Sequence, residues 1–294
     1  MVSWLFFALL SPLLFALANV IDKVLLGKRI RNPYAYGALV GATYLSVVAI
    51  TIPFIGIPEL SFPVLAVGLF AGVCSGIMHL MYYHLLTHAE VSRVIGIFYI
   101  YPVFVVPLSA VFLHEQLPFA KYGAIMLAVI GAFFLSIEKG AERWRLTHAL
   151  WLMLATAALI AVIDVADKYL LGPLQPLHVY ALIIIPSALL QLLLLLRADV
   201  RKDFAATARA APLIALSVLV GFAGTIAFLL AASSAPIVIV SALGTLQPVY
   251  LFLFTIVLSL AKPQILKEIL AQHALVTKAA GLLCIIAAAA VLGI

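Results

Sequence analysis

Charge is what this sequence has least of. Asp, Glu, Lys and Arg make up 10% of its 294 residues, against about 25% in an ordinary soluble domain. So few charges cannot cover the surface of a soluble fold this long, which excludes a water-soluble enzyme or a nucleic-acid-binding domain. Cysteine is scarce too: Cys74 and Cys284 both lie in apolar runs, with no disulfide or metal-ligand spacing. There is no phosphate-cradling Gly-rich loop, no GxSxG, no HExxH and no Walker motif. An ATP-driven pump would therefore need its nucleotide-binding part on another chain, and neither a cofactor nor a resident metal is expected.

What the sequence has in abundance is apolar length. Hydrophobic residues make up 66% of the chain, and the mean hydropathy is +1.26. A helix crosses the hydrocarbon core with about 20 apolar residues. Runs of that kind fall at 2–26, 34–55, 62–86, 93–113, 120–137, 148–171, 177–196, 211–232, 236–260 and 275–293. Polar punctuation separates them, as at Lys28–Pro33, Ile57–Glu59, Glu138–His148, Arg197–Pro212 and Lys262–Lys278. None alternates with the two-residue period of a membrane β-strand. The first run has no basic segment before it and is expected to be retained rather than cleaved. The fold class expected is an all-α membrane protein with ten transmembrane helices.

The chain also repeats itself. Asn19-Val-Ile-Asp-Lys-Val-Leu-Leu-Gly27 ends the first run, and Asp164-Val-Ala-Asp-Lys-Tyr-Leu-Leu-Gly172 ends the sixth, with six of nine positions identical. Tyr101-Pro-Val-Phe104 in the fourth run is answered by Gln247-Pro-Val-Tyr250 in the ninth, and Gly68, Gly72 and Gly76 by Ser217, Gly221 and Thr225. Two five-helix halves follow, residues 1–140 and 147–294. An odd number of spans per half forces the second copy to enter the membrane inverted. The connections agree. Lys28, Arg29 and Arg31 follow the first run, while no basic residue follows the sixth; only Glu59 follows the second, while Arg197, Arg201, Lys202 and Arg209 follow the seventh. Across all connections 14 basic residues fall on one side and only Lys121 on the other. The positive-inside rule then places both termini outside the cytoplasm, in a cell (inner) membrane.

Charged residues inside a span are costly, about 2.5–3.5 kcal/mol near a helix centre on insertion scales, and need a reason. Asp164 is the deepest, and Lys168 stands one helical turn beyond it. Either the two form a pair within the helix, or Asp164 is a protonatable group facing a central cavity. Asn19, Asp22 and Lys23 repeat that arrangement nearer the interface. Pro102 and Pro248 are expected mid-span at matching positions, where each deletes a backbone hydrogen bond and bends its helix, as a structural kink or as a hinge beside a cavity. Tyr99, Tyr101, Phe104, Gln247 and Tyr250 surround them, suited either to packing or to an organic ligand. The third run ends with His79, Tyr82, Tyr83, His84 and His88. His84 and His88 could share a face as metal ligands or a proton relay, or belong to an interfacial belt of amphipathic rings. His79, deeper, is a candidate cavity residue. The three glycines of that run form a small face for close helix packing. Pro263–His273 has the pattern of a short interfacial amphipathic helix.

Ten spans in two inverted halves, together with the run Ala89–Glu115 and its mid-helix Pro102, resemble the EamA family of the drug/metabolite transporter superfamily. The chain departs from a strict repeat where Ala261-Lys262 replaces His114-Glu115, and where extra residues precede the tenth run. The resemblance implies a secondary transporter with runs 1–4 and 6–9 around a central route and runs 5 and 10 at the periphery. The expected function is an exporter or exchanger of small organic metabolites such as amino acids, coupled to protons or another gradient. Its partners would be a small-molecule substrate and the lipid bilayer, with the chain acting as a monomer. Two other readings stand beside it: an integral-membrane enzyme using His79, His84 and His88 on lipid-linked substrates, and a lipid flippase.

Overall fold

A computed structural model describes residues 3–28, 30, 32–88, 98–136, 148–261 and 272–293. Every regular element among them is helical. The first half holds α1 (Trp4–Lys28), α2 (Pro33–Ile55), α3 (Phe62–His88), α4 (Tyr101–Phe112) and α5 (Phe119–Ser136). The second holds α6 (His148–Leu170), α7 (Pro176–Leu193), α8 (Ala198–Ala208), α9 (Ala211–Ser234), α10 (Ile237–Gly244), α11 (Gln247–Ala261) and α12 (Gln272–Gly293), with a single 3-10 turn at Leu194–Leu196. Six segments among the described residues are long and apolar enough to cross a membrane: 4–26, 33–55, 62–86, 176–196, 211–234 and 237–254. Shorter apolar helices cover 101–112, 119–132 and 280–292. Helix α6 has the length of a span, but its last two turns carry Asp164, Asp167 and Lys168.

The local sequence explains the helix starts. Asn32 Oδ1 accepts hydrogen bonds from the Tyr34 and Ala35 amides at 3.0 and 3.3 Å, and Pro33 follows in the first turn. That is the combination that satisfies orphan donors and pre-sets φ. The end of α2 is equally local: Gly56 has φ +72°, and its N–H donates to the Ile52 carbonyl. Glu115, just beyond α4, caps a helix from the other half. Its Oε1 and Oε2 accept from the Ile237 and Val238 amides at 3.0 and 3.5 Å, placing a carboxylate at the positive end of α10.

Two expectations need correction. The run 236–260 is not one helix: it breaks at Thr245-Leu246 into α10 and α11. Pro248 has no N–H to give the Gly244 carbonyl, and α10 ends at Gly244. The fourth run likewise breaks at a turn at Tyr99-Ile100, between the helical Phe98 and α4, which starts at Tyr101. Pro102 and Pro248 therefore do not bend continuous helices. Each stands in the first turn of a new one, where a missing donor costs nothing. The stretch 197–210, expected to be a connection, contains α8, which covers α2 through Val200 and Phe204. The expected interfacial helix at Pro263–His273 lies outside the described residues apart from its last two positions.

Packing joins the two halves closely. Helix α1 packs chiefly on α9, α3 on α6 and α7, α2 on α7, α4 on α6, and α5 on α12. The glycine face of α3 meets α7 as expected. A Cβ at Gly72 would come within 2.6 Å of the Ile183 carbonyl oxygen, so only glycine allows this approach. The outer surface is apolar: Phe54, Ile57, Phe62 and Phe119 are more than four-fifths exposed. Patches of this extent mark lipid contact in a chain with so few charges.

Candidate functional site

A cavity of about 300 Å³ lies among α1, α2, α3, α6, α7 and α9, with the starts of α4 and α11 and the end of α10 closing one wall. Among the described residues, none from α5 or α12 lines it. The volume is at the lower end of ligand-binding clefts.

Three carboxylates face it. Asp22 is 8% exposed, and its Oδ1 accepts from Tyr36 Oη and from Ser217 Oγ, both at 2.5 Å. Asp164, 7% exposed, accepts from Ser241 Oγ at 2.6 Å. Asp167, also 7% exposed, has no hydrogen-bond partner among the described residues. Spaced by three on α6, Asp164 and Asp167 share a helical face and repel when both are ionised. Lys168 does not pair with Asp164. Its ammonium donates to the carbonyls of Ala232 and Ala235 at 2.6 and 2.9 Å, where a cation satisfies the C-terminal end of α9. Neither Lys168 nor Lys23 lines the cavity, and no lysine or arginine does among the described residues.

Half of the remaining polar lining is tyrosine. Asn19 Oδ1 accepts from Tyr82 Oη at 2.9 Å, and Tyr101 Oη donates to the Ser241 carbonyl at 2.7 Å, tying α4 to the end of α10. His79 Nδ1 lies 2.8 Å from the Ser75 carbonyl, an acceptor only, so that nitrogen carries a proton. Its Nε2 faces Tyr44 Oη at 3.2 Å. Tyr36 and Tyr83 pack edge to face at 5.0 Å, and Tyr180 packs on Phe222 at 4.8 Å. Tyr180 is buried with its hydroxyl unpaired among the described residues.

Of the sequence candidates, Asn19, Asp22, His79, Tyr83, Tyr99, Tyr101, Asp164 and Gln247 line this one cavity. Lys23, Lys168, Phe104, Tyr250, Pro102 and Pro248 do not, although both prolines begin helices whose first residues do. His84 lies elsewhere, its ring against Tyr34 and its Nδ1 3.3 Å from Tyr34 Oη. The side chain of His88 lies outside the described residues. No cluster of three metal-capable side chains occurs among those described. Sequence reasoning missed Asp167, Tyr36, Tyr44, Tyr180 and Ser241. Asp167 alone had a signal, as the counterpart of Asp22 in the repeat.

Residues 2–137 match the model of the EamA-like transporter family. A solved crystal structure, 20% identical, aligns with 98% of this chain and 94% of its own at a TM-score of 0.67. At that identity the likeness is one of fold, and it carries the fold through the second half. No curated protein matches the chain. A lipid-facing helical bundle, a polar cavity within it and the family match lead to one statement: this is a multi-pass membrane protein whose residues 2–137 match the EamA-like transporter family, part of the drug/metabolite transporter superfamily.

Proposed function

We propose that the chain is a secondary transporter, an exporter or exchanger of small organic metabolites, with amino acids among the candidates. Ten spans would form two inverted repeats, residues 1–140 and 147–294, rocking around a substrate at mid-bilayer. The observation that carries this reading is the cavity, because counterpart residues of the two halves face it together: Asn19 with Asp164, Asp22 with Asp167, and Tyr101 with Gln247. Helix contacts support it as well. Exchanging the halves turns α1 on α9 into α6 on α3, and α4 on α6 into α11 on α1, and both members of each pair occur. Asp164 is the coupling group in this reading, held by Ser241 on α10, one turn before the break between α10 and α11. The membrane is the cell (inner) membrane, with both termini outside.

The test is uptake by purified protein in liposomes, with an imposed pH gradient and a panel of labelled amino acids and amines. Gradient-dependent uptake of at least one compound is expected. Asp164→Asn is expected to lower it at least tenfold or to abolish its pH dependence, as loss of a charge-assisted contact would. Full uptake with unchanged pH dependence in that variant would remove Asp164 from the mechanism. The enzyme reading has less support, since His79 and His84 face different surroundings.

A further inference from the structure

We infer that the cavity selects organic cations: an ammonium or quaternary ammonium group on an aromatic or apolar body, without a carboxylate. The inference rests on the transport reading above and names its substrate class.

Charge is the first ground. Asp22, Asp164 and Asp167 all face the cavity, and no lysine or arginine lines it among the described residues. The nearby Lys168 is committed to two backbone carbonyls. An anionic group entering here would lose its water and find three acids. His79 offers it little, with Nδ1 held by the Ser75 carbonyl and Nε2 facing Tyr44.

The second ground is unmet bonding capacity. Asp167 is 7% exposed, lines the cavity, and has no hydrogen-bond partner among the described residues. Tyr180 is 4% exposed, lines the same cavity, and its hydroxyl is unpaired among the described residues. Buried polar groups are normally satisfied, and a carboxylate more than a hydroxyl needs a donor or a cation. Asp22 Oδ1 already accepts from both Tyr36 and Ser217. Among the described residues the carboxylate with both oxygens unbonded is therefore on the α6 wall, at Asp167 beside Asp164.

Aromatic rings supply the third ground. Seven tyrosines line the cavity, and the negative face of a tyrosine ring attracts an ammonium. Phe15, Phe98, Phe222 and Phe228 provide apolar contact for the body that carries it. Rings plus carboxylates, with no fixed cation among the described residues, suit a lone positive charge and not a zwitterion.

Three probes with one aromatic body separate the possibilities: 2-phenylethylamine, phenylalanine and 3-phenylpropionate. They are titrated onto the full-length protein in nanodiscs, with thermal shift and intrinsic fluorescence as readouts. The amine is expected to bind about tenfold or more tightly than phenylalanine, the scale of one charge-assisted hydrogen bond, and the propionate not at all. Phenyltrimethylammonium should bind as well, since ring faces need no donated proton. Asp167→Asn is expected to weaken the amine about tenfold with the unliganded melting temperature kept. Should that variant not fold, Asp164→Asn, whose amide oxygen keeps an acceptor for Ser241, provides the same readout. Phenylalanine binding as tightly as the amine, no amine binding, or an amine affinity indifferent to both variants overturns the inference. Liposome uptake then distinguishes the two claims. Binding without uptake of any probe defeats the transport reading alone. Uptake of phenylalanine in preference to the amine defeats the cation inference and leaves transport standing.

Discussion

The motifs ending α1 and α6 are nearly the same nine residues, yet their aspartates occupy opposite situations. Asp22 is anchored, with two hydroxyls donating to its Oδ1 at 2.5 Å. Asp167, its counterpart, has no donor among the described residues. One step earlier in the motif, Asn19 accepts from a tyrosine on α3, and Asp164 from a serine on α10. A repeat conserves where a side chain points but not what meets it. Tyr36 and Ser217 come from α2 and α9, and no described residue of the opposite wall reaches Asp167 in the same way. The first-half carboxylate is built into the structure, while the α6 pair is left for something that comes and goes.

Alanine at each position exposes that difference most sharply. Asp22→Ala strips the acceptor from two buried hydroxyls and is expected to destabilise the protein by about 3 kcal/mol, since each orphaned group costs about 1–3 kcal/mol. Asp167→Ala removes a carboxylate with no hydrogen-bond partner among the described residues and relieves its repulsion with Asp164, so stability should hold or rise. Thermal unfolding in one detergent measures both. Equal losses would mean that Asp167 has a partner comparable to those of Asp22.

A smaller contrast separates the glycines of α3 and α9. Gly72 and Gly221 correspond in the repeat, but a Cβ on Gly72 meets the Ile183 carbonyl and Pro186, while one on Gly221 meets nothing within 4 Å. Gly72→Ala must push α3 away from α7 and is expected to lower stability by about 2 kcal/mol, the scale of overpacking in a tight interface. Gly221→Ala, projecting into the cavity, should leave the melting temperature unchanged or raise it slightly. A tolerated alanine at Gly72 would mean that the α3–α7 contact yields more readily than its backbone approach implies.

Much of this is legible in the sequence, and the misses have a common cause. Apolar runs locate the helices because the bilayer imposes their length, and Asn32-Pro33 reads as a helix start because the cap is local. Asp164 is found because a buried charge is expensive. Pro248 is misread because a proline inside an apolar run and one opening a new helix look alike, and only the end of α10 at Gly244 decides between them. Lys168 sits one turn from Asp164 and invites a pairing that the structure does not make, since its partners are carbonyls more than sixty residues on. Tyr36, Tyr44 and Tyr180 carry no signal that separates a cavity wall from an interfacial belt. Which neighbour a side chain meets is set by helix rotation, and in lipid that rotation leaves little trace in hydropathy.

The least consequential carboxylate is one that holds a well-formed ion pair. Asp199, on α8, takes two hydrogen bonds from Arg197 at 2.9 and 3.2 Å, with both side chains about half exposed. The Arg197 guanidinium also lies 4.9 Å from the Tyr34 ring centre. Those hydrogen bonds hold the Asp199 carboxyl below the usual carboxylate range. A depressed folded value means that its contribution is present above the unfolded value and lost as pH falls through the folded one. Water and salt screen a pair so exposed, and ion pairs of this kind commonly contribute nothing measurable. Asp199→Asn is therefore expected to leave the melting temperature unchanged between pH 5 and pH 8, within the scatter of replicate scans. A drop comparable to that of Asp22→Ala would show that α8 is held against α2 by charge, and not by the Val200 and Phe204 contacts that cover it.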